Sequence, residues 1–288
     1  MTTEPPPSAR GQLRDAFRAF RRNHLAAFGG LVVASIILLA AVGPHLMPYE
    51  YDAMSARERF SPPSWRHPMG TDQYGRDTAT RVTYGARISV QVGLISISIA
   101  LTIGSLLGLI SGYFGGTIDG VIMRGVDVIL AFPAVLLALL FMVTLGTSLT
   151  NVIWAIAVVR IPGFARVARS STLAIREEEY VQAAKAIGAR DLRVILRHVL
   201  PNALPPLIVM GSISLAIAIL VEATLSFLGL GTQPPTPSWG RMLNEARGFM
   251  QLAPWMAIFP GFAIALTVFA LNVFGDGLRD AVDPRLKH

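Results

Sequence analysis

The sequence predicts an all-α integral membrane protein with six transmembrane helices. Three observations carry that reading. The chain is 52% hydrophobic and only 15% charged, whereas a soluble domain carries about 25% charged residues. Several uncharged runs exceed the roughly 20 residues that a helix needs to cross a bilayer. The 25 Lys and Arg and 18 Asp and Glu fall in short segments between those runs. Charges so placed orient a chain in a membrane; they do not form the continuous basic face that nucleic acid would need.

The elements follow in order. Residues 1–24 form a polar N-terminal segment with Pro5, Pro6 and Pro7, then Arg10, Arg14, Arg18, Arg21 and Arg22. The apolar run after it is too long for a secretory leader, so it reads as an uncleaved first span at 25–48. Residues 49–87 are mixed and polar and are expected to be an extracytoplasmic loop. Residues 88–276 make a five-helix core. Span two is the uncharged stretch 88–118. Residues 128–159 are uncharged but too long for one helix, and GTSLTN at 146–151 divides them into spans three and four. Residues 202–221 open span five, which continues to about Leu228. A Pro- and Trp-containing loop covers 231–247, span six lies in 248–275, and residues 277–288 form a polar tail.

Six spans leave both termini on one side. Lys and Arg concentrate in the N-terminal segment, in 163–200 and in the tail, which places those three in the cytoplasm. The arginines of the first loop dissent, but Glu58, Asp72 and Asp77 are interleaved with them. Within span two, Ser96, Ala100, Gly104, Gly108, Gly112 and Gly116 recur every four residues. That spacing makes a smooth ridge on one helix face, and such ridges let a second helix approach closely in lipid.

The segment EEYVQAAKAIGARDLRVILRHVLPN at 178–202 breaks the apolar pattern. Tyr180, Val181, Ala183, Ala184 and Ile187 follow a helical period. Gly188 suits the end of that helix, and Asp191 can cap the next one. Leu192, Ile195, Leu196 and Val199 then share a face, with Arg190, Arg193 and Arg197 opposite. Pro201 is expected to interrupt the helix where it returns to the membrane. Two short helices around a glycine bend therefore lie at the cytoplasmic surface. Anionic headgroups, a protein partner and plain solvent all fit that pattern.

The same residues carry a family resemblance. QAAKAIG, nine residues, then HVLP resembles the signature loop of ABC-importer permeases, with Gln182, Ala183, Ala184, Gly188, Leu200 and Pro201 at motif positions. Gln182 stands where the motif has glutamate and His198 where it has isoleucine. HPMGTDQYGRD (67–77), LSFLGLGTQPPTPSWG (225–240) and GDGLRDAVDPRL (275–286) resemble the C-type subunit of the dipeptide/oligopeptide/nickel branch. The resemblance implies a type I ABC-importer permease bundle in a bacterial or archaeal cytoplasmic membrane. It implies that the loop at about 170–200 holds a coupling helix that docks on an ATPase. Tyr180, Val181, Ala183 and Ala184 would pack in the ATPase groove, Gly188 would permit the bend, and Arg190, Arg193 and Arg197 would face the ATPase, headgroups, or both. The implied partners are a second permease subunit, giving a heterodimer, two ATP-binding subunits and an extracytoplasmic substrate-binding protein, besides membrane lipid.

The chain has no G-x-x-x-x-G-K-[ST] phosphate loop, so ATP and Mg are expected on the partner ATPases and this chain is expected to hold no cofactor and perform no catalysis. It has no cysteine, and His24, His45, His67, His198 and His288 lack metal-ligand spacing. Nickel import would need a binding protein to carry the metal. Ionisable residues inside spans are functional candidates. Glu222 in span five has two open roles, touching a peptide's amino group or pairing with an arginine near the outer surface. Arg124 and Asp127 are expected to pair with neighbouring helices. Arg160, inside span four, has no counterpart in the motif. A secondary transporter, which would show interrupted spans, a channel, which needs a selectivity element, and a scaffold are the rival classes.

Overall fold

The computed structural model describes residues 23–282, with the side chain of Val282 excepted. The arginines of the N-terminal segment, Arg10 to Arg22, and residues 283–288 lie outside the described residues. Helix α1 is His24–Leu46, capped by Asn23, whose side chain accepts from the Ala26 N–H at 3.1 Å. Helix α2 is Thr78–Phe114, α3 Gly116–Leu130, α4 Ala134–Leu145 and α5 Leu149–Arg176. Helix α6 is Glu179–Ala186, and α7 runs Asp191–Phe227 with a π turn at Ile195–Val199. Helix α8 is Trp239–Ala246 and α9 is Trp255–Val282.

Five of these helices, α1, α2, α5, α7 and α9, are each long and apolar enough to cross a bilayer. The sixth segment differs from the expected single helix. It is a broken pair, α3 and α4, bent by 86°. Pro133 sits at the break: it fixes its own φ and pushes Phe132 out of the helical region, and no continuous helix passes that point.

Helix α2 also begins ten residues before its charge-free run. Asp77 caps it, accepting from the Thr80 N–H at 2.7 Å, and Arg81 is buried and paired within its first turn and a half. Charge alone marks where apolarity starts, and the helix starts where the cap is.

The closest packing in the bundle is α2 against α5, and the small ridge makes it possible. A Cβ on Gly104 would lie 2.6 Å from the Phe164 Cβ, and one on Gly108 would lie 2.3 Å from the Ala165 carbonyl oxygen. One on Gly112 would lie 2.8 Å from the Thr172 Cβ. The ridge ends there, because Gly116 faces open space. Around this seam Val92, Met142, Ile156, Phe164, Leu207 and Leu225 form the main apolar core.

The two ends of the bundle are built differently. At one end, residues 49–77 fold against α8 and the start of α9. Trp239 Nε1 donates to the Val82 carbonyl at 2.9 Å and Trp255 Nε1 to the Thr71 carbonyl at 3.0 Å. At the other end, α6 and the start of α7 form an elbow against the ends of α2 and α5.

Candidate functional site

The elbow is built from its hinge outward. Helix α5 ends at Arg176, whose Nη1 donates to the Gly112 carbonyl at 3.0 Å, so the end of α5 is tied to the end of α2. Helix α6 follows and stops as the sequence predicts. Gly188 has φ +82 and closes a Schellman motif: its N–H donates to the Lys185 carbonyl at 2.9 Å, and the Ala189 N–H to the Ala184 carbonyl at 3.0 Å.

The inner side of the elbow is filled by the chain itself. Val181 and Ala184 are buried with Leu109 and Tyr113 of α2 and with Val194, Val199 and Ala203 of α7. Leu200 packs against the same cluster. The expectation that Val181 and Ala184 enter an ATPase groove therefore fails for this structure, because their surface is already spent on α2 and α7.

Two local expectations also change. Asp191 does not cap α7 with its side chain. Its carboxylate instead accepts from the Tyr113 hydroxyl at 2.7 Å, where Lys185 lies 4.6 Å from the ring centroid. Pro201 does not interrupt the helix. The π turn before it carries the break: the Leu200 N–H donates five residues back to the Ile195 carbonyl, and the wider turn accommodates a residue without an N–H. The same extra residue rotates the register, so Leu192 and Leu196 face outward beside the arginines rather than opposite them.

The outer surface is therefore mixed. Ile187 is 86% exposed and Leu192 67%, and Leu196, Gln182, Ala183, Arg190, Arg193 and Arg197 are exposed with them. Gly188, Ala189, Leu192 and Leu196 join the three arginines in lining a concavity of about 680 Å³. Tyr180 is exposed, and Asn202 Nδ2 donates to its hydroxyl at 3.2 Å. Burial, with Glu178 second, pushes the Tyr180 phenol above its ordinary pKa, so it stays a neutral donor and acceptor. Pro201 is exposed nearby. The helical period grouped Ile187 with Val181 and Ala184; they are buried and it is exposed, because α6 ends at Ala186 and the capping turn swings the next residue away.

Glu222 is not part of this surface or of any other. It is fully buried, accepting from Ser226 Oγ at 2.7 Å and Ser89 Oγ at 3.0 Å. Neither role expected of it holds here: its neighbours are serines rather than an arginine, and no face of it opens on a pathway. Asp127 pairs with Arg166 of α5 at 2.6 Å, and Arg124 is exposed. The GTDQYGRD stretch is a tied structural turn. Asp72 accepts from Arg76 Nε at 2.6 Å, and Arg76 and Arg81 both donate to Glu245 of α8, at 2.9 Å and 3.1 Å.

A long transmembrane bundle with such an elbow can be set beside known proteins. Residues 104–288 match the family described as binding-protein-dependent transport system inner membrane component, and residues 11–63 match the N-terminal TM domain of oligopeptide transport permease C. The chain belongs to the permeases of binding-protein-dependent ABC transport systems. Within them it is of the dipeptide and oligopeptide C type. This permease is 47% identical to the dipeptide transport system permease protein of Alkalihalophilus pseudofirmus, over 100% of this chain and 97% of that protein. It is 44% identical to the glutathione transport system permease protein of Pectobacterium atrosepticum, over 97% and 93%. A chain from an inward facing conformation of the MetNI methionine ABC transporter superposes with a TM-score of 0.58 at 18% identity, covering 70% of this permease and 96% of that chain. The fold is thus the type I importer permease fold in a multi-pass inner membrane protein. The broken α3–α4 pair is the kind of interruption a secondary transporter would show, and family membership decides against that class.

Proposed function

We propose that this permease forms half of the translocation pathway of an ATP-driven importer for di- and oligopeptides. Its elbow transmits closure of a separate ATP-binding subunit to the bundle. One observation carries the coupling role. The inner face of the elbow is welded to α2, α5 and α7, while its outer face leaves Ile187, Leu192 and Leu196 in the open among three arginines. A rigid lever with an uncovered apolar and cationic surface suits docking into a partner.

The relatives' names support the cargo, dipeptide in one case and glutathione in the other. The assembly holds a second, different permease subunit, two ATP-binding subunits that carry ATP and Mg, and an extracytoplasmic binding protein. The termini and the elbow lie in the cytoplasm. When the ATP-binding subunits close, they displace the elbow. Because α5 and α7 leave it directly, the displacement rocks the bundle and opens the cavity between the two permeases to the other side. This chain supplies positioning and a pathway; the hydrolysis is its partners'.

The cysteine-free sequence provides a clean test. Ile187→Cys in the assembled complex should crosslink to an ATP-binding subunit through a short bifunctional thiol–amine reagent, and Val181→Cys should not. Labelling of Ile187→Cys by lipid-borne reagents alone, with no crosslinked ATPase, removes the coupling role.

A further inference from the structure

The four arginines of α5 divide three to one. Arg166 is paired with Asp127 at 2.6 Å, Arg169 with Asp119 at 2.6 Å and Arg176 with Glu177 at 2.9 Å. Arg160 has no carboxylate within salt-bridge distance among the described residues. Its Nη2 donates to Ser214 Oγ of α7 at 2.7 Å, and its Nε is buried with no acceptor.

Arg160 is also the deepest of the four. At 1.5 Å per residue it lies roughly 16 Å along α5 from Leu149 and roughly 24 Å from Arg176. Ser214 marks the same depth on α7, midway between Leu200 and Phe227. A guanidinium keeps its proton in proteins. A cation at that depth must therefore face protein or a water-filled cavity and find an anion there.

Arg160 is not sealed in. Arg160, Gly163 and Gly211 are all partly exposed. A Cβ on Gly211 would meet nothing within 4 Å, while the Met210 methyl fills the space over Gly163, 2.6 Å from where a Cβ would lie. The site thus offers one cation held by a hydroxyl, partly exposed and paired with no carboxylate among the described residues.

On the peptide-import reading, on which this inference rests, we propose that Arg160 binds the C-terminal carboxylate of the peptide in transit. Ser214 holds the guanidinium in place as a positioning residue. Every linear peptide carries that carboxylate whatever its side chains, so one arginine serves a broad cargo. A guanidinium fork matches a carboxylate with two parallel bonds, and a single such contact is weak enough to release.

The test uses the complete assembly in proteoliposomes, with both permeases, the ATP-binding subunits and the binding protein. Uptake of a radiolabelled tripeptide and of its C-terminal amide is timed for the native permease, Arg160→Gln and Arg160→Lys. Arg160→Gln should lower free-acid uptake about tenfold, the scale of one lost charge-assisted contact, and leave amide uptake unchanged. Arg160→Lys should recover most of the loss. Equal losses on both peptides, or none on either, overturn the assignment. A native complex that moves neither peptide sinks the import reading, and this assignment with it. Where the binding protein refuses the amide, the peptide-loaded assembly decides. A terminal carboxylate within hydrogen-bond distance of Arg160 supports the assignment, and a carboxylate of the second permease in that place overturns it.

Discussion

The two ends of the bundle use the same materials for opposite purposes. Each has a turn with glycine at positive φ, Gly70 and Gly75 at one end and Gly188 at the other. Each has a cluster of arginines within a short stretch. At the stapled end Arg76 and Arg81 are buried, and Glu245 takes bonds from both and from Arg241 at 3.1 Å. At the elbow Arg190, Arg193 and Arg197 are exposed, and Leu192 and Leu196 between them are exposed too. The difference teaches that an arginine cluster is structural or recognitive according to where its counter-charge lies. A buried cluster must bring its anions with it; an open one can wait for a partner.

The largest expected effect comes from removing the shared anion. Glu245→Ala leaves Arg76 and Arg81 buried and under-compensated, and should destabilise the permease by about 3–5 kcal/mol. Arg193→Ala at the elbow should change stability by less than about 0.5 kcal/mol, because exposed charges contribute little to folding. Unfolding titrations of both variants in the same detergent measure the contrast. Similar midpoints for the two would erase the distinction between a closed and an open cluster. The functional order should be reversed: Arg193→Ala, folded normally, should lower transport-coupled ATP hydrolysis in the assembled complex.

The glycines sharpen the same comparison at smaller scale. A Cβ on Gly75 would sit 1.9 Å from the Ser55 carbonyl oxygen, whereas one on Gly188 meets nothing within 4 Å. Both have positive φ, so alanine is strained at both. Gly75→Ala adds a backbone clash to that strain and should destabilise by about 2–5 kcal/mol. Gly188→Ala carries strain alone, about 1–2 kcal/mol. Gly188→Asp should still yield a folded, inserted subunit, but with transport uncoupled from ATP hydrolysis. Normal substrate-stimulated hydrolysis in Gly188→Asp would show that the bend has no part in coupling.

What the sequence made legible follows from the range of the forces involved. The spans were readable because expelling charge from lipid acts on every residue of a run, and the ridge at Gly104, Gly108 and Gly112 because helical spacing is local. The elbow's bend at Gly188 was readable for the same reason. Glu245 was not, since its bond to Arg76 joins residues 169 apart, and nothing in either neighbourhood announces the other. The outward turn of Leu192 and Leu196 was hidden by the π turn, which adds a residue that no regular period allows for. Val181 and Ala184 looked like a docking face because an apolar helix face has no label saying whose core it joins. The break at Pro133 did have a signal, a proline within an apolar run, masked by the stronger polar stretch at 146–151.

The smallest effect tests how the elbow's inner face is held. Tyr113 reaches it from α2 by one neutral donor, its hydroxyl on Asp191, and by a ring under Lys185. Tyr113→Phe keeps the ring and removes the bond. Asp191 is exposed, so its freed carboxylate regains water and the loss should be only about 0.5–1.5 kcal/mol. A change that small leaves global unfolding almost where it was. It should instead raise local opening of the elbow, read as roughly two- to tenfold faster amide exchange in α6 with the exchange of α2 and α5 unaltered. Unchanged exchange in α6 would mean that Val181, Ala184 and their apolar neighbours hold the elbow unaided. Faster exchange reaching α2 as well would mean that this end is as tightly cross-braced as the stapled one, and the contrast between the two ends would lose its basis.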